Sequence, residues 1–416
     1  MLGDGRRPAG TSHTCVVLVA TVLLLLVTAC TAPAPDPTGP ELSSAPPTAG
    51  SPSRSSSESP QGSPPTGSSP AQTSAAPSSA APSSATPSSA TPSSTGTPSG
   101  SITHVVAISV DGLNPRAITE LGTAGAPTFH RLMREGAYTL DARTEREQTR
   151  TLPNHTGMLT GRRIDARRGG HGVTYNTDIG RRRTVHSSAG EYVSSVFDVV
   201  HDHGGRTALF ATKTKFALYQ RTWNTDGGPD RVGADDGREK IDRFVVDTDD
   251  AQLVAKLNTY LEAEPGEFVF LHIALPDEIG HKDGFMSDRY LAGVRATDDL
   301  VGTVLDTIST RPALRRDTVV LLTADHGGDG ESHSDQSKIA NYQIPFIAWG
   351  PGVPAGRDLY SLNDDRRSPG TARTAYEGPQ PIRNGEIANL ATDVLGLPKV
   401  PGSEFDADQD LVIFAS

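Results

Sequence analysis

The chain has 416 residues, a formal net charge of −11 at pH 7 and two cysteines. The acidic balance argues against nucleic acid as a stably held partner, because a polyanion is retained by basic surface. Both cysteines, Cys15 and Cys30, lie near the N-terminus, so the rest of the chain can form neither a disulfide nor a thiolate metal site.

Residues 1–29 have the features of a lipoprotein-type signal peptide. Arg6 and Arg7 precede an apolar run, Val16–Val27, which is too short for a comfortable membrane span. The following Thr-Ala-Cys30 resembles the end of a bacterial lipobox, in which the cysteine becomes the lipidated first residue. We therefore expect an exported protein, held on the extracytoplasmic face of the cell membrane by a lipid on Cys30. The alternative is an ordinary cleaved signal with an incidental cysteine.

Residues 30–101 are predicted to be a disordered linker. The segment is rich in Pro, Ser, Thr and Ala, and between Thr31 and Gly100 it has one large aliphatic residue, Leu42, and no aromatic residue. Such a segment cannot bury enough apolar surface to offset the entropy lost on ordering. It would act as a tether between the membrane and residues 102–416.

Residues 102–416 have an ordinary globular composition, and apolar β-branched runs alternate there with helical patterns, which predicts an α/β fold with a mostly parallel sheet. The predicted strands are His104–Val110, Thr207–Ala211, Glu267–Leu275, Asp317–Thr323 and Ile344–Trp349. The predicted helices are Pro127–Glu135, Pro153–Leu159, Val193–His203, Asp249–Glu262, Ser287–Ser309 and Glu386–Leu395. Polar, glycine-rich sequence predicts long loops at Gly180–Gly190 and Thr222–Lys240.

Two candidate site residues follow in chain order. Asp111 comes directly after the first predicted strand, at the carboxyl edge of the sheet where ligands of open α/β sheets gather. Thr151 precedes Pro153, a residue that fits the first turn of a helix, and a hydroxyl there would face a helix N-terminus that favours an anion. The alternatives are a routine Asp-Gly turn for Asp111 and a simple helix N-cap for Thr151.

Three further ligand-type groups follow later strands. Asp277 and His281 are four residues apart, so one helical turn would place both side chains on one face. Asp325 and His326 lie on a glycine-rich turn after another strand, and His333 is the last histidine of the chain. Carboxylate and neutral imidazole suit zinc, manganese or iron.

In this order, the motifs resemble the alkaline phosphatase superfamily, and within it the type I phosphodiesterase and nucleotide pyrophosphatase branch. The resemblance covers nearly all of residues 102–416. It implies a three-layer α/β/α fold with a mostly parallel central sheet. The motifs are Val-Asp111-Gly, Thr151-Leu-Pro-Asn-His with Thr160-Gly161, His171-Gly-Val-x-x-Asn176, Pro-Asp277-x-x-Gly-His281 and Ala-Asp325-His326-Gly.

The resemblance also implies a chemistry. One divalent metal ion would be held by Asp111, Thr151, Asp325 and His326, and a second by Asp277, His281 and His333, with zinc expected and manganese as the alternative. Thr151 would attack phosphorus to form a phosphothreonine that water later opens, and Asn176 would hold a non-bridging phosphoryl oxygen. The expected substrate is a small phosphodiester or phosphoanhydride.

Other functions remain open at this point. A phosphomonoesterase or phosphonate hydrolase of the same superfamily is the first alternative, and a binding module without catalysis is the second. A sulfatase is disfavoured, because no Cys- or Ser-x-Pro-x-Arg motif is present. We expect His155 and His171 to be scaffold residues and His272 to be a satisfied core histidine. Lys213 and Lys215 are expected to be surface lysines, and the alternative is that they contact a second phosphate or the leaving group.

Overall fold

The computed structural model describes residues 101–415 apart from 179, 181 and 226–236. The predicted signal peptide, 1–29, and all but the last residue of the predicted linker, 30–101, lie outside this range. Among the described residues, no helix combines the length and the apolar character needed to cross a membrane.

The described strands form one eight-stranded sheet with the order β4-β3-β5-β1-β6-β7-β2-β8. Its β7 runs antiparallel to both neighbours, and the remaining pairings are parallel. The mostly parallel sheet expected from the sequence is therefore confirmed. The strands are β1 (His104–Val110), β2 (Ala137–Arg143), β3 (Thr207–Ala211), β4 (Arg243–Val246), β5 (Phe268–Ile273), β6 (Thr318–Thr323), β7 (Gln343–Trp349) and β8 (Arg357–Asp358).

Helices cover the sheet in two sets, which gives the three-layer α/β/α arrangement. In one set α1, α2, α7, α8 and α10 pack around α9, and in the other α3 and α5 pack against α12. The helices are α1 (Pro115–Gly125), α2 (Pro127–Glu135), α3 (Thr151–Thr160), α4 (Val185–Ala189), α5 (Val196–His201), α6 (Ala217–Gln220), α7 (Asp250–Ala263), α8 (Leu275–Asp283), α9 (Asp288–Thr310), α10 (Pro312–Asp317), α11 (Ile339–Tyr342) and α12 (Ile387–Val394).

The central strands form because their sequences suit burial on both faces. All residues of β3, β5 and β6 are buried, as are six of the seven in β1. Continuous runs of Val, Ile, Leu and Phe are typical of parallel strands that are covered by helices on each side. Since β5, β1 and β6 are neighbours, whatever follows these three strands meets at one edge of the sheet.

Some sequence predictions of elements were wrong. The strands β2, β4 and β8 were missed, because they are partly polar or short; β2 also has an irregular register between Thr139 and Ala142. The segment predicted as a loop at Gly180–Gly190 contains α4, which is capped by Thr184 through a hydrogen bond to the Ser187 N–H. Serine, threonine and glycine there mark helix ends rather than an irregular loop.

The described part of the chain begins at the amino-terminal edge of the sheet, which is opposite to the carboxyl ends of β5, β1 and β6. Ile102 is buried, and the Thr103 N–H donates to the carbonyl of Asp317, 2.9 Å away, just before β6 begins. The amino-terminal ends of β1 and β6 are therefore tied together where the described domain starts.

Candidate active site

Three buried aspartates meet at the carboxyl edge of the sheet. Asp111 follows β1, Asp277 lies in the first turn of α8 just after β5, and Asp325 follows β6. All three side chains are at least 95% buried. The sheet order places these strands side by side, which is why residues more than two hundred positions apart share one site.

Asp111, Asp325 and His326 form the first group of ligand-type side chains. His326 Nε2 lies 3.4 Å from Asp111 Oδ1 and 3.2 Å from Asp325 Oδ2. The other oxygen of Asp325 accepts hydrogen bonds from the N–H groups of Gly112 and His326. These bonds fix the carboxylate so that Oδ2 points toward Asp111 and His326.

Gly112 is required where the turn that carries Asp111 approaches Asp277. Its φ is +70°, a left-handed conformation that glycine adopts without strain. A Cβ at this position would lie 3.0 Å from Asp277 Cα. The absence of a side chain therefore lets the turn after β1 pack directly on the start of α8.

Asp277, His281 and His333 form the second group. His281 Nε2 is 3.5 Å from Asp277 Oδ1, as expected for residues one helical turn apart. His333 Nε2 is 3.7 Å from the same oxygen and 3.1 Å from His281 Nε2. The three ligand atoms thus surround one point, although His281 remains half exposed.

Backbone carbonyls orient the two outer histidines of this group. His281 Nδ1 donates to the carbonyl of Glu331, and His333 Nδ1 donates to that of Thr149. A proton on Nδ1 leaves Nε2 as the free acceptor, which is the form that binds a metal ion. Both rings therefore present Nε2 to Asp277.

His326 connects the two groups. Its Nε2 also lies 3.9 Å from Asp277 Oδ1, and its Nδ1 donates to the carbonyl of Gly327. The ligand atoms of Asp277, His326 and His333 lie within 4.8 Å of one another, as do those of Asp111, Asp325 and His326, so each of these sets could hold a metal ion. The two groups form one continuous cluster with His326 at its centre.

Lys213 lies inside this cluster, so the prediction of a surface lysine was wrong. Its ammonium is 2.5 Å from Asp111 Oδ2 and 2.6 Å from Asp277 Oδ2, and its side chain is 12% exposed. The signal in the sequence was its place two residues after β3, because that strand ends at the same edge of the sheet.

Charge is unevenly compensated in the cluster. Burial raises the pKa of Asp111, but Lys213, the hydrogen bond from His272 and the nearby His326 outweigh this and hold it well below its usual value. Burial, together with the charges of Asp111 and Asp277, raises the pKa of Asp325 well above its usual value. One ammonium therefore does not neutralise three buried carboxylates.

Several ligand atoms in the cluster have no hydrogen-bond partner among the described residues. They are buried and point at one another: Asp111 Oδ1, Asp277 Oδ1, Asp325 Oδ2 and His326 Nε2. Leaving a buried polar atom unpaired costs about 1–3 kcal/mol, and more for a charged group. An arrangement of carboxylate oxygens and neutral imidazole nitrogens with unpaired lone pairs fits divalent metal ions.

Thr151 is the first residue of α3 and is buried. Arg150 occupies the N-cap position without capping through its side chain, so the alternative that Thr151 is the N-cap was wrong. The Thr151 hydroxyl makes no hydrogen bond to the described residues. A free hydroxyl at a helix N-terminus is suited to meet an anionic group.

Asn176 contacts the first turn of α3, and its carbonyl end faces the helix. Its Oδ1 accepts from the N–H of Leu152 at 2.9 Å and from Lys215 Nζ at 3.3 Å. The Leu152 N–H is therefore already used, and the hydrogen-bond donor that Asn176 can offer to a bound group is its amide group. Lys215 is half-buried in this corner of the site and is not a plain surface lysine.

The remaining histidines near the site orient other groups. His155 Nδ1 donates to the carbonyl of Thr151, while its Nε2 accepts from the Ser109 hydroxyl, as expected of a scaffold residue. His272 is fully paired, which confirms the prediction for this residue, and its Nε2 donates to Asp111 Oδ2 at 3.0 Å. It fixes the orientation of a candidate ligand.

Comparison with solved structures agrees with the fold described above. Mouse ectonucleotide pyrophosphatase/phosphodiesterase 5 has a similar structure, with a TM-score of 0.52 and 15% sequence identity over 74% of this chain and 99% of that chain. An inactive variant of the mouse protein in complex with AMP gives 0.51 and 14%, and the human protein gives 0.50 and 14%, with the same coverage. At these identities the likeness shows the fold alone.

The sequence itself identifies the family. No curated protein matches the chain. Residues 105–345, however, match the type I phosphodiesterase / nucleotide pyrophosphatase family, and this range contains every aspartate, histidine and threonine of the site. The chain belongs to this family of phosphoric ester hydrolases.

Proposed function

We propose that the protein is a two-metal phosphohydrolase that cleaves phosphodiester or phosphoanhydride bonds through a phosphothreonine at Thr151. The observation that carries the proposal is the convergence of three aspartates and three histidines, four of whose ligand atoms are unpaired, at one edge of the sheet. A plain structural core would not retain so many uncompensated lone pairs.

The two groups of side chains would each hold one divalent ion. Asp111, Asp325 and His326, together with Thr151, would hold the first; the second would be held by Asp277, His281 and His333. Such ions lower the pKa of a hydroxyl and stabilise negative charge on phosphoryl oxygens. Zinc is the expected ion and manganese the alternative, because mixed oxygen and nitrogen ligands accept both.

The side chains then have separate roles. Thr151 Oγ1 forms a bond to phosphorus as the bond from phosphorus to the leaving oxygen breaks. The Asn176 amide donates to a non-bridging oxygen, and Lys215, in contact with Asn176, adds positive charge at the same corner. Water then attacks phosphorus, breaks the bond to Thr151 and releases phosphate or its monoester. Exclusion of bulk water by the buried site strengthens each of these contacts.

A small phosphate ester is the proposed substrate, and the AMP complex of the mouse relative supports including nucleotides. The test is hydrolysis of bis-p-nitrophenyl phosphate, p-nitrophenyl phosphate and a nucleotide panel by protein of known metal content. We expect a larger kcat/KM for the diester than for the monoester. The reverse order would favour a phosphomonoesterase, and no turnover by metal-loaded protein would favour a binding module.

We also propose that the protein acts outside the cytoplasm, anchored by a lipid on Cys30. Support comes from the charged start, the short apolar run and the Ala29-Cys30 junction. A lipid-anchored hydrolase on a 72-residue linker, residues 30–101, would meet substrates from outside the cell. Mass spectrometry of the mature N-terminal peptide tests this, since an unmodified peptide, or cleavage elsewhere, would contradict it.

A further inference from the structure

Asn384 is a buried side chain that joins the two halves of the candidate site from outside. It begins the 3₁₀ turn Asn384–Glu386 just before α12 and is fully buried. It lies beyond residues 105–345, the range that matches the family. Its side-chain amide group faces three oxygen acceptors on two different elements.

One acceptor belongs to the nucleophile's helix. Asn384 Nδ2 donates to Asn154 Oδ1, 3.2 Å away. Asn154 lies in the first turn of α3, and its own amide donates to the carbonyls of Gln148 and Arg150 at 2.7 and 3.0 Å. Asn154 therefore holds the chain that leads into Thr151, and Asn384 holds Asn154.

The other acceptors belong to the turn that carries the Asp-His pair. Asn384 Nδ2 lies 3.2 Å from the carbonyl of Ala324 and 3.4 Å from that of Asp325. Three oxygens around one nitrogen identify this end of the amide as the donor. One side chain thus bridges the start of α3 and the turn after β6.

The backbone around Asn384 is itself fixed. The Arg143 N–H donates to the carbonyl of Ile382 at 2.9 Å, and Arg383 Nη1 donates to the carbonyl of Thr144 at 2.9 Å. The buried Arg383 guanidinium also lies 4.9 Å from the ring centroid of Tyr376. The bridging amide is therefore attached to the end of β2 and not to a mobile loop.

We propose that Asn384 is a positioning residue that sets the separation between Thr151 and the ligands Asp325 and His326. This inference rests on the proposed function, because it needs Asp325 and His326 to bind a metal ion beside the Thr151 hydroxyl. Side chains that orient metal ligands typically change metal affinity by 10- to 100-fold when replaced. Asn384 does so from the C-terminal part of the chain, through a backbone carbonyl and a second asparagine.

The test compares Asn384→Leu with a matched control, Asn389→Leu. Asn389 is equally buried, five residues further on, and its amide also makes several hydrogen bonds, to Ser403 Oγ, the Phe405 carbonyl and the Val400 N–H. None of these groups belongs to the site. The measurements are thermal unfolding, zinc affinity by competition with a chelator, the visible spectrum of the cobalt-loaded protein, and kcat and KM for bis-p-nitrophenyl phosphate.

We expect Asn384→Leu to weaken the affinity of one zinc ion by about tenfold or more and to alter the cobalt spectrum. At saturating metal it should lower kcat more than it raises KM. Asn389→Leu should lose a similar amount of thermal stability. Both of its metal affinities should stay within about twofold of the wild type, and its cobalt spectrum should be unchanged. If the two variants behave alike in metal affinity and spectrum, Asn384 has only a structural role.

The same data separate this inference from the proposed function. A wild type that binds two metal ions but hydrolyses no ester would overturn the proposed function, while the metal affinities would still decide the role of Asn384. A wild type that binds no metal would overturn both.

Discussion

The imidazole rings of His326 and His333 lie face to face, with centroids 3.6 Å apart and planes inclined by 16°. Two imidazolium ions would repel each other at this distance, so the contact requires a neutral ring. Burial lowers the pKa of both, and the neighbouring His326 contributes to lowering the pKa of His333 to about 2. Both rings are therefore neutral at pH 7 and can bind metal without first releasing a proton.

Replacing His333 should remove one metal ion and keep the other. His333→Ala removes a nitrogen ligand from the metal ion that Asp277 and His281 would also hold, but it leaves Asp111 and Asp325 in place. Bound zinc should therefore fall from two ions per chain to one. Elemental analysis after gel filtration measures this. His130→Ala is the control, because its ring contacts the carbonyl of Ile118 in α1, away from the site. Retention of two ions by His333→Ala would remove His333 from the ligand set.

Thr151→Ala should abolish turnover without disturbing the fold. Loss of a nucleophile lowers kcat by roughly 10³-fold or more. The variant should still bind substrate, because the groups that stabilise charge remain in place. The control is Thr156→Ala in the same helix, where the hydroxyl donates to the carbonyl of Leu152. Rates are measured with bis-p-nitrophenyl phosphate at saturating metal, and acid-quenched wild type is analysed for phosphothreonine. Equal rates for Thr151→Ala and wild type would contradict the assigned nucleophile.

Lys213→Gln should have opposite effects on the metal-free and metal-bound states. Without metal, removal of the ammonium leaves Asp111 and Asp277 without their cationic partner, which typically costs about 3–5 kcal/mol for a buried pair. With metal, the same removal eliminates a competing positive charge, so metal affinity should rise. Urea unfolding in chelator and zinc competition measure the two effects. The control is Lys215→Gln, which contacts neither aspartate. A lower metal affinity in Lys213→Gln would show that the lysine supports the ligands.

Asp406→Asn should change how stability depends on pH. Burial raises the pKa of Asp406 to about 8, and Glu386 nearby contributes. The unfolded carboxyl has a pKa of about 4, so the folded chain retains a proton between these values. The retained proton stabilises the folded state relative to the unfolded state. This stabilisation is complete below pH 4 and is lost as the pH rises toward 8. The free energy of unfolding changes by at most about 1.4 kcal/mol per pH unit as a result.

An amide at position 406 does not titrate, so the loss of stability between pH 4 and pH 8 should disappear. Its oxygen can still accept from the N–H groups of Asp410 and Leu411, and asparagine tolerates the φ of +50°. The stability of Asp406→Asn relative to wild type should therefore increase from pH 5 to pH 8, as measured by urea unfolding at fixed metal content. Exposed Asp408→Asn is the control. A difference independent of pH would mean that Asp406 is ionised throughout.

Cys30→Ser should release the protein from the membrane. The serine cannot form the thioether that carries the lipid, and a short apolar run does not hold a chain in the bilayer by itself. Cell fractionation followed by detergent phase partition measures the shift from membrane to aqueous phase. Cys15→Ser, within the apolar run, should leave the distribution unchanged. A membrane-bound Cys30→Ser protein would contradict the anchor.

The sequence could predict the parts of the fold that depend on local pattern. The strands β1 and β3 were predicted to the residue and β6 to within one, because each is a run of apolar residues followed by a polar turn. Asp111 and Asp325 follow two of these runs, so their place at the carboxyl edge was predictable from strand direction alone. The spacing of Asp277 and His281 likewise required only the geometry of one helical turn.

What could not be predicted depends on contacts between distant segments. Nothing local in the sequence distinguishes Lys213, which enters the carboxylate cluster, from a lysine that points to solvent. Asn384 lies 59 residues from Asp325 in the chain and 230 from Asn154, yet contacts both. The orientation of Asn176, with its carbonyl toward Leu152, follows from the packing of α3 and not from its motif.

The hydrogen bond between Thr103 and Asp317 has a practical consequence for handling the protein. It lies where the chain enters the sheet, and the seven-residue strand β1 separates this point from Asp111 by about 23 Å. A force applied through the N-terminus, from a membrane, a bead or a fused domain, therefore acts at the edge of the sheet opposite to the site. Immobilisation through residues before Ile102 should therefore leave the carboxyl edge of the sheet accessible, so the N-terminus is the suitable point of attachment for biosensor and turnover experiments on a surface.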